Sequence, residues 1–330
     1  MNKSGFYILL CVLLSNASIF AEQWNDDFSN PQQSKLEWVG DWSQFAINRN
    51  NQLQSQSSDA TESVLLHAST CAINAEWQFW TRISGACSAY NLLRYYIALC
   101  EEDIHADGYF VQIGGTNKNI TLYEQKSNSI TKLIEHPART KILDTDASYV
   151  SIRVKRDDKG VLHLYSLIEG IDSTWIEEGF AFVPMLTSQY SAVYVKNTKT
   201  RGYDFYIDDI YVSGEQQHES LSQDEVEASV QLLSENISPN HDGWEDEVCI
   251  QYFVPNSDYL ATCAVYTSNG LLVKQIHQQT AIQQAGTICW NGTTDQGDIA
   301  EIGIYILYIE LLNKKTHDTL RQRMVVSLTL

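Results

Sequence analysis

Apolar residues in this chain recur at every second position in one segment after another, and no feature constrains its fold more. In Val150-Ser-Ile152-Arg-Val154-Lys155 the branched residues hold one phase and the polar ones the other, as in a strand with one wet face. Trp77-Gln-Phe79-Trp-Thr81-Arg-Ile83 repeats the pattern, and after a Gly/Ser-containing gap so does Leu93-Arg-Tyr95-Tyr-Ile97-Ala-Leu99. Further strands read at Tyr109 to Ile113, Ile120 to Glu124, Val161 to Leu167, Ser191 to Lys196 and Phe205 to Val212. A helix turns once in about 3.6 residues, so it would scatter such a pattern around its axis. Outside the first twenty residues no long window keeps a helical stripe. Many short strands with turn residues between them predict an all-β sandwich or jelly roll.

The chain starts differently. Lys3, the apolar run Phe6 to Leu14 and the small-residue stretch Ser15 to Ala21 read as a secretory signal peptide over residues 1–21. Ser15 and Asn16 interrupt the run well short of the roughly 20 apolar residues that a spanning helix needs. No transmembrane span is expected after cleavage. From Gly214 to Ser229 large apolar residues almost vanish, and residues 215–229 read as an acidic, solvated linker. A second strand set follows: Val248 to Phe253, Thr262 to Tyr266, Leu271 to Ile276, Thr287 to Trp290, Ile302 to Leu311 and Met324 to Leu328. The expected domains are therefore 22–214 and 230–330, the second of a length that suits an Ig-like β-sandwich.

The formal charge is −19, and −20 without Lys3. With no long basic run, such a chain repels phosphate backbones, which argues against nucleic acid as a partner. Six cysteines lie beyond the leader, three in each half, and none forms a Cys-x-x-Cys pair that would suggest zinc or thiol redox chemistry. Two readings stay open for them: small buried hydrophobes on strands, or one disulfide per half.

Residues 23–212 resemble the concanavalin-A-like jelly-roll domain of exported Bacteroidetes surface proteins. The match rests on Trp77-Gln-Phe-Trp80, Asn91-Leu-Leu-Arg-Tyr-Tyr96, Gly108-Tyr-Phe-Val-Gln-Ile-Gly-Gly115 and Phe205-Tyr-Ile-Asp-Asp-Ile-Tyr-Val212. Residues 236–330 are similar to the C-terminal Ig-like modules of such proteins and of flagellar hook-capping proteins, through Ser238-Pro-Asn-His-Asp-Gly243, Val265-Tyr-Thr-Ser-Asn-Gly270, Trp290-Asn-Gly292 and Ile302-Gly-Ile-Tyr305. Larger proteins with these two ends often carry a lamin-tail-like domain between them, whereas here the linker takes its place. Both architectures host unrelated activities, so the resemblance speaks to fold more than to function.

Glycosidases of the concanavalin-A-like class carry Glu-x-Asp-x-x-Glu on one strand, so that acid and nucleophile flank one glycosidic bond. Glu101-Glu-Asp103 begins that pattern, but Ala106 stands where the third carboxylate belongs. There is no Gly-x-Ser-x-Gly elbow and no His-Glu-x-x-His helix, and the eight histidines have no partners at metal-ligand spacing. Gly114-Gly115 reads as a turn rather than a phosphate loop.

Aromatic residues lead further, because sugars offer apolar C–H faces that stack on rings. Alternation sets Trp80 and Arg82 opposite the apolar phase of their strand, and Arg94 with Tyr96 opposite that of the next. If the two strands are neighbours, Trp80, Arg82, Arg94 and Tyr96 form one aromatic-and-arginine sheet face suited to carbohydrate. The competing reading is a face covered by a loop.

Two calcium sites are expected. The alternation slips at Asp208-Asp209, which predicts a bulge that re-aims a carboxylate. The resemblance implies a structural calcium where first and last strands of the jelly roll meet, pairing Asp208 or Asp209 with Asp26 or Asp27. Independently, Ser238, Asn240, Asp242 and Asp246 fall at the first, third, fifth and ninth positions of an EF-hand-like loop with Gly243 at the sixth. Cys249 occupies the twelfth, where a bidentate carboxylate belongs, so the loop binds weakly unless Glu245 or Glu247 substitutes. A plain Asp-Gly turn is the alternative. Taken together, the expectation is an exported, non-catalytic surface or periplasmic protein that binds carbohydrate or cell-surface components, its Ig-like module serving as spacer or sorting element. A degenerate or unfamiliar glycoside hydrolase is the rival.

Overall fold

The computed structural model describes residues 21–127, 129–136, 139, 141–143, 147–221, 226–240 and 245–329. The signal-peptide run lies outside the described residues. Along the first part of the chain run β1 (Glu22–Asp26), helix α1 (Pro31–Glu37), β2 (Trp38–Gly40), β3 (Phe45–Ile47) and β4 (Leu53–Ser55). Longer strands follow: β5 (Thr61–Ala68), β6 (Ile73–Ser84), β7 (Leu92–Leu99), β8 (Gly108–Gly114) and β9 (Asn119–Lys126). Then come β10 (Ser129–Glu135), β11 (Ala147–Arg156), β12 (Val161–Ile168), β13 (Ile176–Phe182), β14 (Tyr190–Asn197) and β15 (Phe205–Glu215). The all-β expectation holds.

These strands form two sheets. An eight-stranded sheet runs β13-β12-β11-β6-β15-β4-β3 with β1 also paired to β15, and a seven-stranded sheet runs β10-β9-β8-β7-β14-β5-β2. Between them lies one continuous core that includes Trp38, Trp77, Phe79, Tyr95, Ile152 and Val193. In the eight-stranded sheet the sequence period is also the burial period: along β6 from Ala75 onward and along β12 buried and partly exposed residues alternate strictly. The seven-stranded sheet departs from that rule. Almost all of β7 is buried, because Leu66, Tyr96, Phe110 and Tyr194 build a second apolar layer on the sheet's outer side.

After β15, Gln217 is buried rather than solvated. Its amide donates to the Pro184 carbonyl at 2.8 Å and its Oε1 accepts from Leu186 N at 3.1 Å, which ties the start of the expected linker to the first sandwich. A second strand set then comprises β16 (Ser229–Leu232), β17 (Asn236–Ile237), β18 (Val248–Phe253) and β19 (Tyr259–Thr267). It continues with β20 (Leu272–Ala281), β21 (Ala285–Trp290), β22 (Gly303–Asn313) and β23 (Thr319–Leu328). Its sheets run β16-β18-β21 and β17-β23-β22-β19-β20 around a separate core that includes Trp290, Leu307 and Val265. Cys249 and Cys289, directly opposite on β18 and β21, form a disulfide, whereas Cys71, Cys100 and Cys263 are free thiols. Of the two readings for the cysteines, pairing thus applies to Cys249 and Cys289, and that of a small buried hydrophobe on a strand to Cys263, while Cys71 and Cys87 are buried off the strands and Cys100 is half-buried.

The two sandwiches meet through Phe180, Val226 and Phe253. There the Gln251 side chain accepts from Phe180 N at 2.9 Å and donates to Phe180 O at 3.0 Å. No helix among the described residues is long and apolar enough to cross a membrane.

Candidate functional site

The expectation that Trp80, Arg82, Arg94 and Tyr96 share one face fails on topology. β6 pairs with β11 and β15, while β7 pairs with β8 and β14 in the opposite sheet. The chain between Ser84 and Leu92 crosses from one sheet to the other instead of turning a hairpin. Each strand's phase is read correctly, since Phe79 and Tyr95 are both in the core. Consequently the outward residues of β6 and of β7 point away from opposite sides of the sandwich.

On the seven-stranded side, Tyr96 is only 1% exposed and packs on Phe110 at 4.8 Å between ring centres. Its hydroxyl donates to Gln125 Oε1 at 3.3 Å, and the Gln125 amide in turn holds the carbonyls of Ile104 and Ala106 in the loop after β7. Burial raises the Tyr96 phenol above its ordinary pKa. Arg94 lies 4.4 Å over Phe110 and 5.3 Å over Tyr194, with Nε donating to Gln112. This is the loop-covered face that the sequence left open as an alternative, and Tyr96 offers no ring surface to a ligand. Glu101, Glu102 and Asp103 are exposed in the same loop, not aligned on a strand.

The eight-stranded side is different. Cross-strand register sets Arg82 between Tyr149 and Tyr206, Trp80 between Ser151 and Asp208, and Gln78 between Arg153 and Tyr211. Strands lie about 4.8 Å apart, so each such row brings its side chains into contact. The Arg82 guanidinium stands 5.2 Å from the Tyr149 ring centre and 5.0 Å from that of Tyr206, and Trp80 is 6.2 Å from Tyr149. One row further on, Arg153 lies 4.3 Å over Trp175, donates to Gln78 Oε1 at 2.9 and 3.1 Å, and pairs with Glu76 at 3.2 Å. The Gln54 amide donates to the Tyr206 hydroxyl at 3.0 Å. All these rings are partly exposed, and polar groups are interleaved among them. Such a surface combines C–H stacking planes with fixed donors and acceptors, the two things that recognition of a pyranose requires.

Tyr149, Tyr206, Arg153 and Trp175 are absent from the sequence-based list. Alternation around Val150 and around Phe205 already turned three of them outward. What periodicity lacks is strand order, which alone says that β11 and β15 flank β6.

The first expected calcium position lies where β1 meets β15. β1 and β15, the first and last strands of the sandwich, pair with Asp26 opposite Ile210. The β15 register slips between Asp208 and Tyr211, and Asp209 has φ +50°. That is the anticipated bulge. Asp26 turns inward, accepting from Phe28 N, Ser34 Oγ and Trp38 Nε1, so it is a structural hub. Asp27 stays outside, its pKa lowered by the Ser29 hydroxyl and amide. Burial, joined by the charges of Asp209 and Asp27, pushes the Asp208 carboxyl up to about 6. Asp208 is thus an acid whose charged form burial disfavours beside two further carboxylates, and among the described residues the ligand oxygens of Asp27, Asp208 and Asp209 do not all lie within 4.8 Å of one another.

Of the second expected position, Asp242 lies outside the described residues. Ser238 N donates to Glu245 O at 2.7 Å and Asn240 N to Ser238 O at 2.8 Å, so the two described ends of this segment meet ahead of β18. Among the described residues, the trio of His, Cys, Asp or Glu ligand atoms within 4.8 Å of one another is Glu247, Cys249 and Cys289. The disulfide denies those sulfurs to a metal, because only a thiolate ligates.

No family model matches this chain, and no curated protein matches it. It is similar to solved structures of sugar-binding domains. The VIP36 exoplasmic/lumenal domain in its Ca2+/Man-bound form is 10% identical with a TM-score of 0.41, over 53% of this chain and 82% of that one. The carbohydrate-binding module CBM66 from Bacillus subtilis is 10% identical with a TM-score of 0.35, over 56% and 96%. Lectin I-B4 from Griffonia simplicifolia is 11% identical with a TM-score of 0.39, over 58% and 99%. At these identities and scores no residue here takes a role from them.

Proposed function

We propose that this is an exported, non-catalytic glycan-binding protein whose binding surface is the outer face of the eight-stranded sheet. The observation that carries the reading is the partly exposed cluster of Trp80, Tyr149, Arg82 and Tyr206 on two adjacent rows, aromatic planes with a guanidinium between two of them. Trp80 and Arg82 keep the role expected of them, while Arg94 and Tyr96 give theirs up to Tyr149, Tyr206 and Trp175. Asp27, Asp208 and Asp209 are proposed to hold a structural calcium that ties the first strand to the last. The second sandwich, with domain limits near 215–229, is proposed as an Ig-like spacer or sorting element that carries no ligand face of its own.

Affinity electrophoresis through gels containing neutral and acidic polysaccharides tests this reading. Retardation without turnover is expected on at least one polymer. Stacking on an aromatic side chain is worth about 1–3 kcal/mol, so Trp80→Ala should weaken retention about tenfold or more while leaving the melting profile nearly unchanged. Release of reducing sugar would favour a hydrolase, and equal retention of wild type and variant would remove the face from consideration.

A further inference from the structure

The proposed glycan face holds a cation that its own chain leaves without an anion. Among the described residues Arg82 makes no ion pair and no hydrogen bond, and its Nε is enclosed without a partner between the rings of Tyr149 and Tyr206. Several other arginines of the described structure have partners in their own chain. Arg139 is held by Asp172 and Glu178, Arg153 by Glu76, Arg201 by Asp204 and Arg321 by Glu310. Arg156 is buried against the carbonyls of Ala72 and Val183. Asp208, an acid of the same face, stands opposite Trp80 rather than opposite Arg82.

We infer that Arg82 is a carboxylate-binding residue and that the saccharide taken by this face is acidic, a chain containing hexuronic acid. In this arrangement a sugar ring lies on Trp80 and a uronate carboxylate is gripped by the two Nη groups of Arg82. The inference rests on the reading of this face as a glycan platform.

Three physical points support it. First, the Tyr149 and Tyr206 rings flank the guanidinium at 5.2 and 5.0 Å, which confines it on the face, and its planar fork matches the two oxygens of a carboxylate. Second, a saccharide covering this face strips water from Arg82. A neutral sugar returns only weak acceptors to that buried charge, whereas a carboxylate neutralises it. Third, Trp80 and Arg82 are two residues apart on the same side of one strand, a separation of about 6.6 Å, which one or two linked sugar residues span. The protein's overall charge of −19 opposes any polyanion at long range, but at roughly 0.15 M salt that repulsion is screened beyond about 8 Å while the contact pair is not.

The experiment compares polygalacturonate, alginate and hyaluronan with the same polymers after carboxyl reduction, in affinity gels at physiological ionic strength. Wild type should be retained at least tenfold more strongly by one acidic polymer than by its reduced form. Arg82→Gln should abolish that preference, and Arg82→Lys, which keeps the charge but not the fork, should restore only part of it. Thermal melting of each variant checks folding, with the lysine variant deciding if the glutamine one is unstable. Equal retention by acidic and reduced polymers, or a preference that survives Arg82→Gln, would overturn the inference and leave the glycan reading standing. Failure of every polymer, acidic or neutral, would overturn both.

Discussion

Asp208 shows how one side chain can carry a stability signature that reports on its neighbours. Its pKa is raised from the ordinary 3.8 to about 6 by burial first, then by Asp209 and Asp27. The folded state therefore binds this proton more tightly than the unfolded chain does. The sign follows: stability from this group is complete below about pH 4 and declines as the pH rises through 6. Allowing for partial solvent screening, the charged form costs on the order of 1 kcal/mol at neutral pH. Asp208→Asn should therefore be more stable than wild type at pH 8 and lose that advantage at pH 4 in paired melts without divalent ions. If calcium binds here, adding it at pH 8 should raise the wild-type midpoint and move that of Asp208→Asn much less. A calcium shift of equal size in both would place the ion elsewhere. The same residue illustrates how far local reading goes, because the slip in alternation after Ile207 announced the bulge while the partnership with Asp27 depended on β1 lying beside β15.

Among the elements, β13 is the edge of the eight-stranded sheet and needs protection from unwanted pairing. The protection comes from the other sandwich. Gln251 on β18 uses both ends of its amide to satisfy Phe180 N and Phe180 O, as a neighbouring strand would. Around that pair Phe180, Val226 and Phe253 exclude water, with Phe182 and Phe253 rings 5.7 Å apart. Gln251→Leu keeps much of the volume and removes both hydrogen bonds. Leaving a buried donor and acceptor unpaired costs about 1–3 kcal/mol, so limited proteolysis between residues 215 and 230 should speed up several-fold. An unchanged cleavage rate would mean that the apolar contacts alone hold the sandwiches together. Strand positions of this kind were visible in the sequence, since Val248–Phe253 was read with its observed bounds, but the fact that Gln251 meets Phe180 is a contact across 71 positions.

The whole molecule consists of two sandwiches with separate cores, and only the second contains a disulfide among the described residues. Cys249 and Cys289 are 40 positions apart, so their link removes loop entropy from the unfolded second half worth about 4 kcal/mol in the chain-entropy account. Calorimetry with and without a reductant should show two transitions. The one belonging to residues 230–330 should fall by about 10 °C or more on reduction, while the other stays in place. A single transition that shifts as a unit would show instead that the Phe180–Phe253 interface makes the two cores one cooperative body.

The sequence by itself determined the class of structure and the direction of each side chain. A strand exposes alternate residues to opposite sides, so the phase of Trp77, Phe79 and Ile83 sends Trp80 and Arg82 outward whatever else the chain does. It determined in the same way that Arg94 and Tyr96 face outward from their own strand. Only the tertiary structure decided which outward side chains meet. Strand order and sheet membership arise from burial summed over residues far apart in the chain, and a jelly roll sends consecutive strands such as β6 and β7 to different sheets. That is why the expected set of four split into two pairs, with Tyr96 of one pair buried, and why Arg82 found its companions in Tyr149 and Tyr206, which no local pattern links to it.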